Sequence, residues 1–158
     1  MTILCLIAIA VLIIADQLIK LWAMSTLMPI VSIPIIKDVF HLTYVANHGA
    51  AFSILQGKTF FLIAITSIAL GVALYLLLSK KIQNKCLIIS LVLIISGGVG
   101  NLIDRIRLGF VVDYLDFRLI NFPVFNFADC CVVIGTALVL IYVFFIEPKE
   151  KKMKDMEN

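Results

Sequence analysis

The chain has 158 residues, 63% hydrophobic and 15% charged, with a net charge of +3 and a mean hydropathy of +1.14. Soluble domains lie nearer half apolar and a quarter charged, so the composition points to the bilayer, and the length fits one domain. So small a charge, with no basic stripe interleaved with aromatics, excludes a nucleic-acid partner.

Four apolar runs are read as transmembrane helices, at about 3–24, 59–79, 86–104 and 128–146. A helix needs about 20 residues to cross ~30 Å of hydrocarbon, and each run reaches or approaches that length. The first lacks the basic n-region of a signal peptide and precedes three more spans, so it reads as a helix that stays. Asp16, Gln17 and Lys20 fall in its outer part. Asp16 and Lys20 are spaced i,i+4 and pair on one face. Snorkelling with an internal salt bridge is one reading; the other has Asp16 holding an outer platform in place.

The connector 25–58 contains Val39–Val45, rich in β-branched and aromatic residues, followed by Asn47-His48-Gly49. That pattern reads as a strand running into a turn. His41 and His48 are the two histidines of the chain. Seven residues apart, with no serine or cysteine nucleophile to serve, they suit surface or turn roles better than a metal site. The link 79–85 carries Lys80, Lys81 and Lys85, and the tail 147–158 carries Lys149, Lys151, Lys152 and Lys154. These are seven of the thirteen basic residues. Their density places both termini in the cytoplasm and the connectors 25–58 and 105–127 outside. The tail reads as disordered.

In the third run Gly97, Gly98 and Gly100 let a neighbouring backbone approach closely. Asn101, Asp104 and Arg105 follow at i, i+3 and i+4, on one face near the outer end. Polar groups there face the protein interior or a cavity, or simply end the helix. The second outer connector holds Phe110–Tyr114 and Phe122–Phe125, strands or edge segments of a small β platform on the outer membrane face. Asn126 and Asp129 open the fourth helix as N-cap and N3, resembling a capping box. Capping alone would explain Asp129. It leaves Asp113 unexplained, sixteen residues earlier in a connector that also bears Asp116. Two carboxyl groups close together at this border could share a proton and activate water. The residues alone leave both readings open.

Cys5, Cys86, Cys130 and Cys131 lie in or beside apolar runs without CxxC spacing, as small packing residues and neither a disulfide framework nor a zinc site.

Five blocks in order resemble lipoprotein signal peptidase, also called signal peptidase II. They are Asp16 with Lys20, Asn47-His48-Gly49-Ala50-Ala51-Phe52-Ser53, Gly100-Asn101-Leu102-Ile103-Asp104-Arg105, Val111-Val112-Asp113-Tyr114 and Phe125-Asn126-Phe127-Ala128-Asp129. Each is weakly specific, but together, with four spans in matching places, they cover the chain from first helix to last. His48 stands where the family's pattern is loose, and Tyr114 replaces its commoner phenylalanine.

The resemblance implies an aspartic endopeptidase of the bacterial inner membrane. It would be a single membrane-embedded domain of four helices with a small extracytoplasmic β platform, acting as a monomer without cofactor or metal. Its substrates would be diacylglyceryl-modified prolipoproteins, cut before the lipid-bearing cysteine, with membrane lipid part of recognition. Asp113 and Asp129 would be the catalytic dyad. Asn47, Asn101, Arg105 and Asn126 would line the site and contact substrate, while Asp16, Lys20 and Asp104 would be structural.

Three rival readings fit the residues less well. A small ion-coupled transporter would use Asp16, Asp104 and Arg105 as relay groups, yet the polar residues gather at one face and no inverted repeat is evident. A presenilin-type protease needs a glycine–x–glycine–aspartate arrangement within a span, which neither Asp113 nor Asp129 has. A purely structural subunit leaves the acids of the second connector unexplained.

Overall fold

The computed structural model describes residues 2–50, 54–79, 81–120 and 122–148. Ala51–Ser53 of the second motif block, Lys80 and the tail Lys149–Asn158 lie outside the described residues.

Among the described residues, four helices are long and apolar enough to cross a membrane. They are α1 (Thr2–Thr26), α2 (Thr59–Leu78), α3 (Lys85–Leu108) and α4 (Phe127–Ile141), the last running on as a π-helical turn over Tyr142–Ile146. Their outer faces confirm the solvent: Ile3, Phe60, Ile68 and Phe144 are 75%, 85%, 69% and 67% exposed, which suits lipid and not water. Half of the most apolar stretch of α3 is buried, against 17%, 22% and 11% for α1, α2 and α4. α3 is therefore the central helix, and the other three pack against it.

Glycine sets the closest of these contacts. A Cβ at Gly97 would fall on the carbonyl oxygen of Ala128, and one at Gly135 would lie 2.8 Å from that of Ser90. α3 and α4 thus approach backbone to backbone, as small residues allow in a membrane. A core of Cys5, Ile9, Ala73, Leu77, Ile88, Leu91, Val92 and Ile95 fills the space among α1, α2 and α3.

α3 is longer than the apolar run suggested, because its boundaries are set by caps. The Asn84 side chain accepts from the Cys86 N–H at 2.8 Å. At the other end Gly109, at φ +83°, turns the chain and returns its N–H to the Arg105 carbonyl.

The outer platform is a three-stranded antiparallel sheet in the order β1 (Ser32–Ile36), β2 (Phe40–Asn47), β3 (Val111–Phe117). β2 and β3 were legible as strands. β1 has no such signal in the sequence, and its central Pro34 suits an edge strand. Phe122–Phe125 contributes a single bridge, Leu115 with Phe125, instead of a strand. A register shift between Leu42 and Val45 precedes the pairing of Val45 with Asp113. Ala23, Leu27, Val112 and Tyr114 form a second core that seats the sheet on the end of α1.

Candidate active site

Local backbone chemistry fixes Asp129. Asn126 is extended, and its Oδ1 accepts from the Asp129 N–H at 2.9 Å while Asp129 Oδ2 accepts from the Asn126 N–H at 3.1 Å. This reciprocal pair is a capping box, which satisfies orphan donors of the first turn. The Asp129 carboxylate is thereby held at the mouth of α4, and the residue stays partly exposed.

Asp113 reaches the same place from β3 and is buried to 1% exposure. Its Oδ1 accepts from Asn126 Nδ2 at 2.6 Å and its Oδ2 from Asn47 Nδ2 at 2.9 Å. Asn101 of α3 completes the group. Its Nδ2 donates to Asp129 Oδ1 at 2.7 Å, and its Oδ1 accepts from Asn126 Nδ2 at 3.2 Å. One residue, Asn126, touches both acids, and every carboxylate oxygen of the pair accepts a hydrogen bond. Burial pushes the Asp113 carboxyl up to about 7, and the neighbouring negative charge of Asp129 adds to that. The hydrogen bonds from Asn47 and Asn126 pull the other way, because they favour the charged form.

Behind this group lies a buried ionic cluster. Lys20 Nζ stands 3.0 Å from Asp16 Oδ2, 2.9 Å from Asp104 Oδ2 and 2.8 Å from Asn101 Oδ1. Lys20 is 2% exposed, so it does not snorkel. Charges this deep cost several kcal/mol each unless every polar atom finds a partner, and here they do. Asp16 Oδ1 accepts from the Ala128 N–H at 3.1 Å, Asp104 Oδ2 from the Val112 N–H at 3.1 Å, and Gln17 Nε2 donates to Asp104 Oδ1 at 3.1 Å. Asp16 therefore ties down the start of α4, while Asp104 anchors the sheet through β3. A Cβ on Gly100 would collide with the Asp16 carboxylate.

Arg105 Nη2 donates to the Gly49 carbonyl at 2.9 Å, and the Gly49 N–H donates to Asn47 Oδ1 at 2.9 Å. The turn after β2 is thus tied to α3 beside the acids. Asp116 belongs elsewhere. Burial raises its carboxyl, but hydrogen bonds from Thr43 Oγ1 at 2.7 Å and Arg118 Nε at 2.9 Å outweigh that and hold it below the usual range. His48 is exposed, whereas His41 is 7% exposed, contrary to the surface or turn role expected of it. Its Nδ1 lies 3.3 Å from Ser32 Oγ, and Nε2 has no partner among the described residues.

All nine residues singled out from the sequence meet at this end of the bundle. Several of these contacts go beyond what the residues alone predict, the asparagine bonds to the acids among them. Lys20 bonds Asn101 across 81 positions, and the Tyr114 hydroxyl accepts from the Phe127 N–H at 3.2 Å. The Tyr114 bond had a signal, since the first amides of α4 need acceptors. Among the described residues, no group of three or more His, Cys, Asp or Glu stands together as a metal site would need.

Known proteins match this chain over most of its length. A family model described as Signal peptidase (SPase) II matches residues 8–145. A lipoprotein signal peptidase of Clostridioides difficile is 50% identical over 136 residues, covering 86% of this chain and 91% of the relative. Another, from Halothermothrix orenii, is 50% identical over 138 residues, covering 87% and 93%. A solved bacterial membrane enzyme at 2.3 Å resolution superposes with a TM-score of 0.80 at 33% identity, covering 88% of this chain and 86% of that one.

Proposed function

This chain belongs to the signal peptidase II family, and from that premise we propose that Asp113 and Asp129 cleave the signal peptide as an aspartic dyad sharing one proton. Membership in the family carries a peptidase that removes signal peptides from lipoproteins. The finer chemistry rests on one observation: two carboxyl groups from different elements, Asp113 on β3 and Asp129 on α4, joined through the single residue Asn126.

Two acids so placed do not both ionise readily, so one holds the proton. Asp113, buried and pushed up to about 7, is the acid. Asp129, partly exposed at a helix N-terminus that suits an anion, is the base. Asp129 takes a proton from water as the oxygen attacks the scissile carbonyl, and Asp113 gives its proton to the carbonyl oxygen. On collapse Asp129 passes the water-derived proton to the leaving amine. Asp113 recovers a proton as the carbonyl reforms, and the pair returns to one proton. No covalent intermediate forms.

Asn47, Asn101, Arg105 and Asn126 form the polar wall along which the extended substrate backbone lies. In the resting arrangement the three asparagines hold the acids. Arg105 has five N–H donors and contacts a substrate carbonyl with those that the Gly49 and Asn101 carbonyls do not occupy. Asp16 and Asp104 fix α4 and β3 in place. The acids sit at the outer ends of α3 and α4, the depth at which a diacylglyceryl-cysteine presents its peptide bond while its acyl chains stay in the bilayer. The protein acts as a single-domain monomer of the bacterial cytoplasmic (inner) membrane, with both termini in the cytoplasm.

The test is cleavage by the purified protein of diacylglyceryl-modified and unmodified forms of one precursor. The modified form should be cut before the lipid-bearing cysteine and the other left largely intact. Equal cleavage of both would defeat this account of specificity.

A further inference from the structure

Asn101 raises a question of orientation that Lys20 answers. An asparagine amide has an accepting end and a donating end, and rotating it by half a turn exchanges them. Only one orientation serves the dyad, with Nδ2 facing Asp129 Oδ1 at 2.7 Å. The reverse would set a carbonyl oxygen against a carboxylate. Nothing in α3 itself selects between the two.

An ammonium selects, because it donates three hydrogen bonds and accepts none. Lys20 directs two of them to Asp16 and Asp104 and the third to Asn101 Oδ1 at 2.8 Å. A single carboxylate would have balanced its charge. The third bond requires the oxygen of Asn101 to face inward and its nitrogen to face Asp129. That same oxygen accepts from Asn126 Nδ2 at 3.2 Å, and Asn126 Nδ2 reaches Asp113 Oδ1 at 2.6 Å. The orientation therefore propagates. With the Asn126 nitrogen so turned, its Oδ1 faces the Asp129 N–H at 2.9 Å.

We propose that Lys20 is a positioning residue for peptide hydrolysis, its ammonium fixing the Asn101 amide and, through Asn126, aiming N–H donors at both Asp113 and Asp129. A residue of α1 that touches no substrate thus sets the polarity of the hydrogen-bond chain across α3, α4 and β3. This inference rests on the dyad reading above.

Removing Lys20 alone strands two buried carboxylates, so the decisive variant removes a pair. Asp16→Asn with Lys20→Met takes out one charge of each sign, and the asparagine keeps an acceptor for the Ala128 N–H. The Asp104 carboxylate that loses its ammonium keeps the Val112 N–H and Gln17 Nε2 as donors. Folding is followed by thermal denaturation in detergent, and kcat and KM are measured on a diacylglyceryl-modified precursor. Asp113→Asn is assayed alongside. The pair variant should fold and keep KM within about twofold, while kcat falls roughly 10- to 100-fold, the effect typical of a residue that orients a working group from behind. A pair variant that folds with unchanged kcat, or that fails to fold, makes the cluster structural and overturns the proposal. Activity retained in Asp113→Asn would instead overturn the dyad itself, so the two failures are distinct.

Discussion

Asn126 Nδ2 donates to Asp113 Oδ1 at 2.6 Å, while the same residue caps the helix that carries the other acid. One side chain thus couples the stability of α4 to the state of Asp113. Replacing it separates the two duties. Asn126→Asp keeps an oxygen for the Asp129 N–H but removes the donor to Asp113 and sets a third acid against it. The variant should fold, with kcat reduced about 100-fold, the scale set by a small misplacement of reacting groups. Asn126→Ala should in addition lose about 1 kcal/mol of stability with the cap. Parallel denaturation and turnover measurements check both.

The pH profile follows from Asp113. In the proposed role of acid it must hold its proton, which it loses as pH rises through about 7. The kcat/KM value should therefore fall on the alkaline side near there, as an apparent value of the pair. The Asn47 hydrogen bond favours the carboxylate, so Asn47→Ala lets Asp113 keep its proton longer. The alkaline limb should move to higher pH. A limb that moved to lower pH would contradict the assignment.

Gly97 and Gly71 make a matched pair. A Cβ at Gly97 meets the backbone oxygen of Ala128 and lies 2.9 Å from Val132 Cγ2, whereas at Gly71 nothing lies within 4 Å. Gly97→Ala should force α3 and α4 apart and cost about 1–3 kcal/mol, with activity lost because Asp129 moves with α4. Gly71→Ala should leave both stability and activity near the original. Thermal denaturation and turnover of the two variants test the contrast.

Tyr114 packs its ring in the second core and carries a hydroxyl at its edge. It accepts from the Phe127 N–H, in the first turn of α4, at 3.2 Å. Tyr114→Phe keeps the ring in the core with Ala23, Leu27 and Val112 but leaves that amide without its acceptor, at a cost of about 1 kcal/mol or somewhat more. The variant should be less stable and still active. Unchanged stability would show that the amide finds another partner.

The spans, β2, β3 and the cap at Asn126 were legible because each depends on neighbours in sequence: a long apolar run, alternation, an asparagine three residues before an acid. β1 was not, since Pro34 breaks the strand pattern and the pairing of Ser32 with Thr43 depends on a partner strand. The burial of His41 is not legible in sequence, because burial on a sheet face depends on what the sheet packs against. The Lys20–Asn101 bond was out of reach for the same reason: α1 and α3 meet only after the bundle forms. Asp113 and Asp129 stood out through the cost of placing acids at a membrane border. The asparagines that hold them show their role only in three dimensions.

The most direct measurement is turnover of a diacylglyceryl-modified prolipoprotein by Asp113→Asn and Asp129→Asn, each shown to be inserted and folded. Both should lose essentially all activity while still binding the precursor. Substantial cleavage by either variant would contradict the shared-proton dyad.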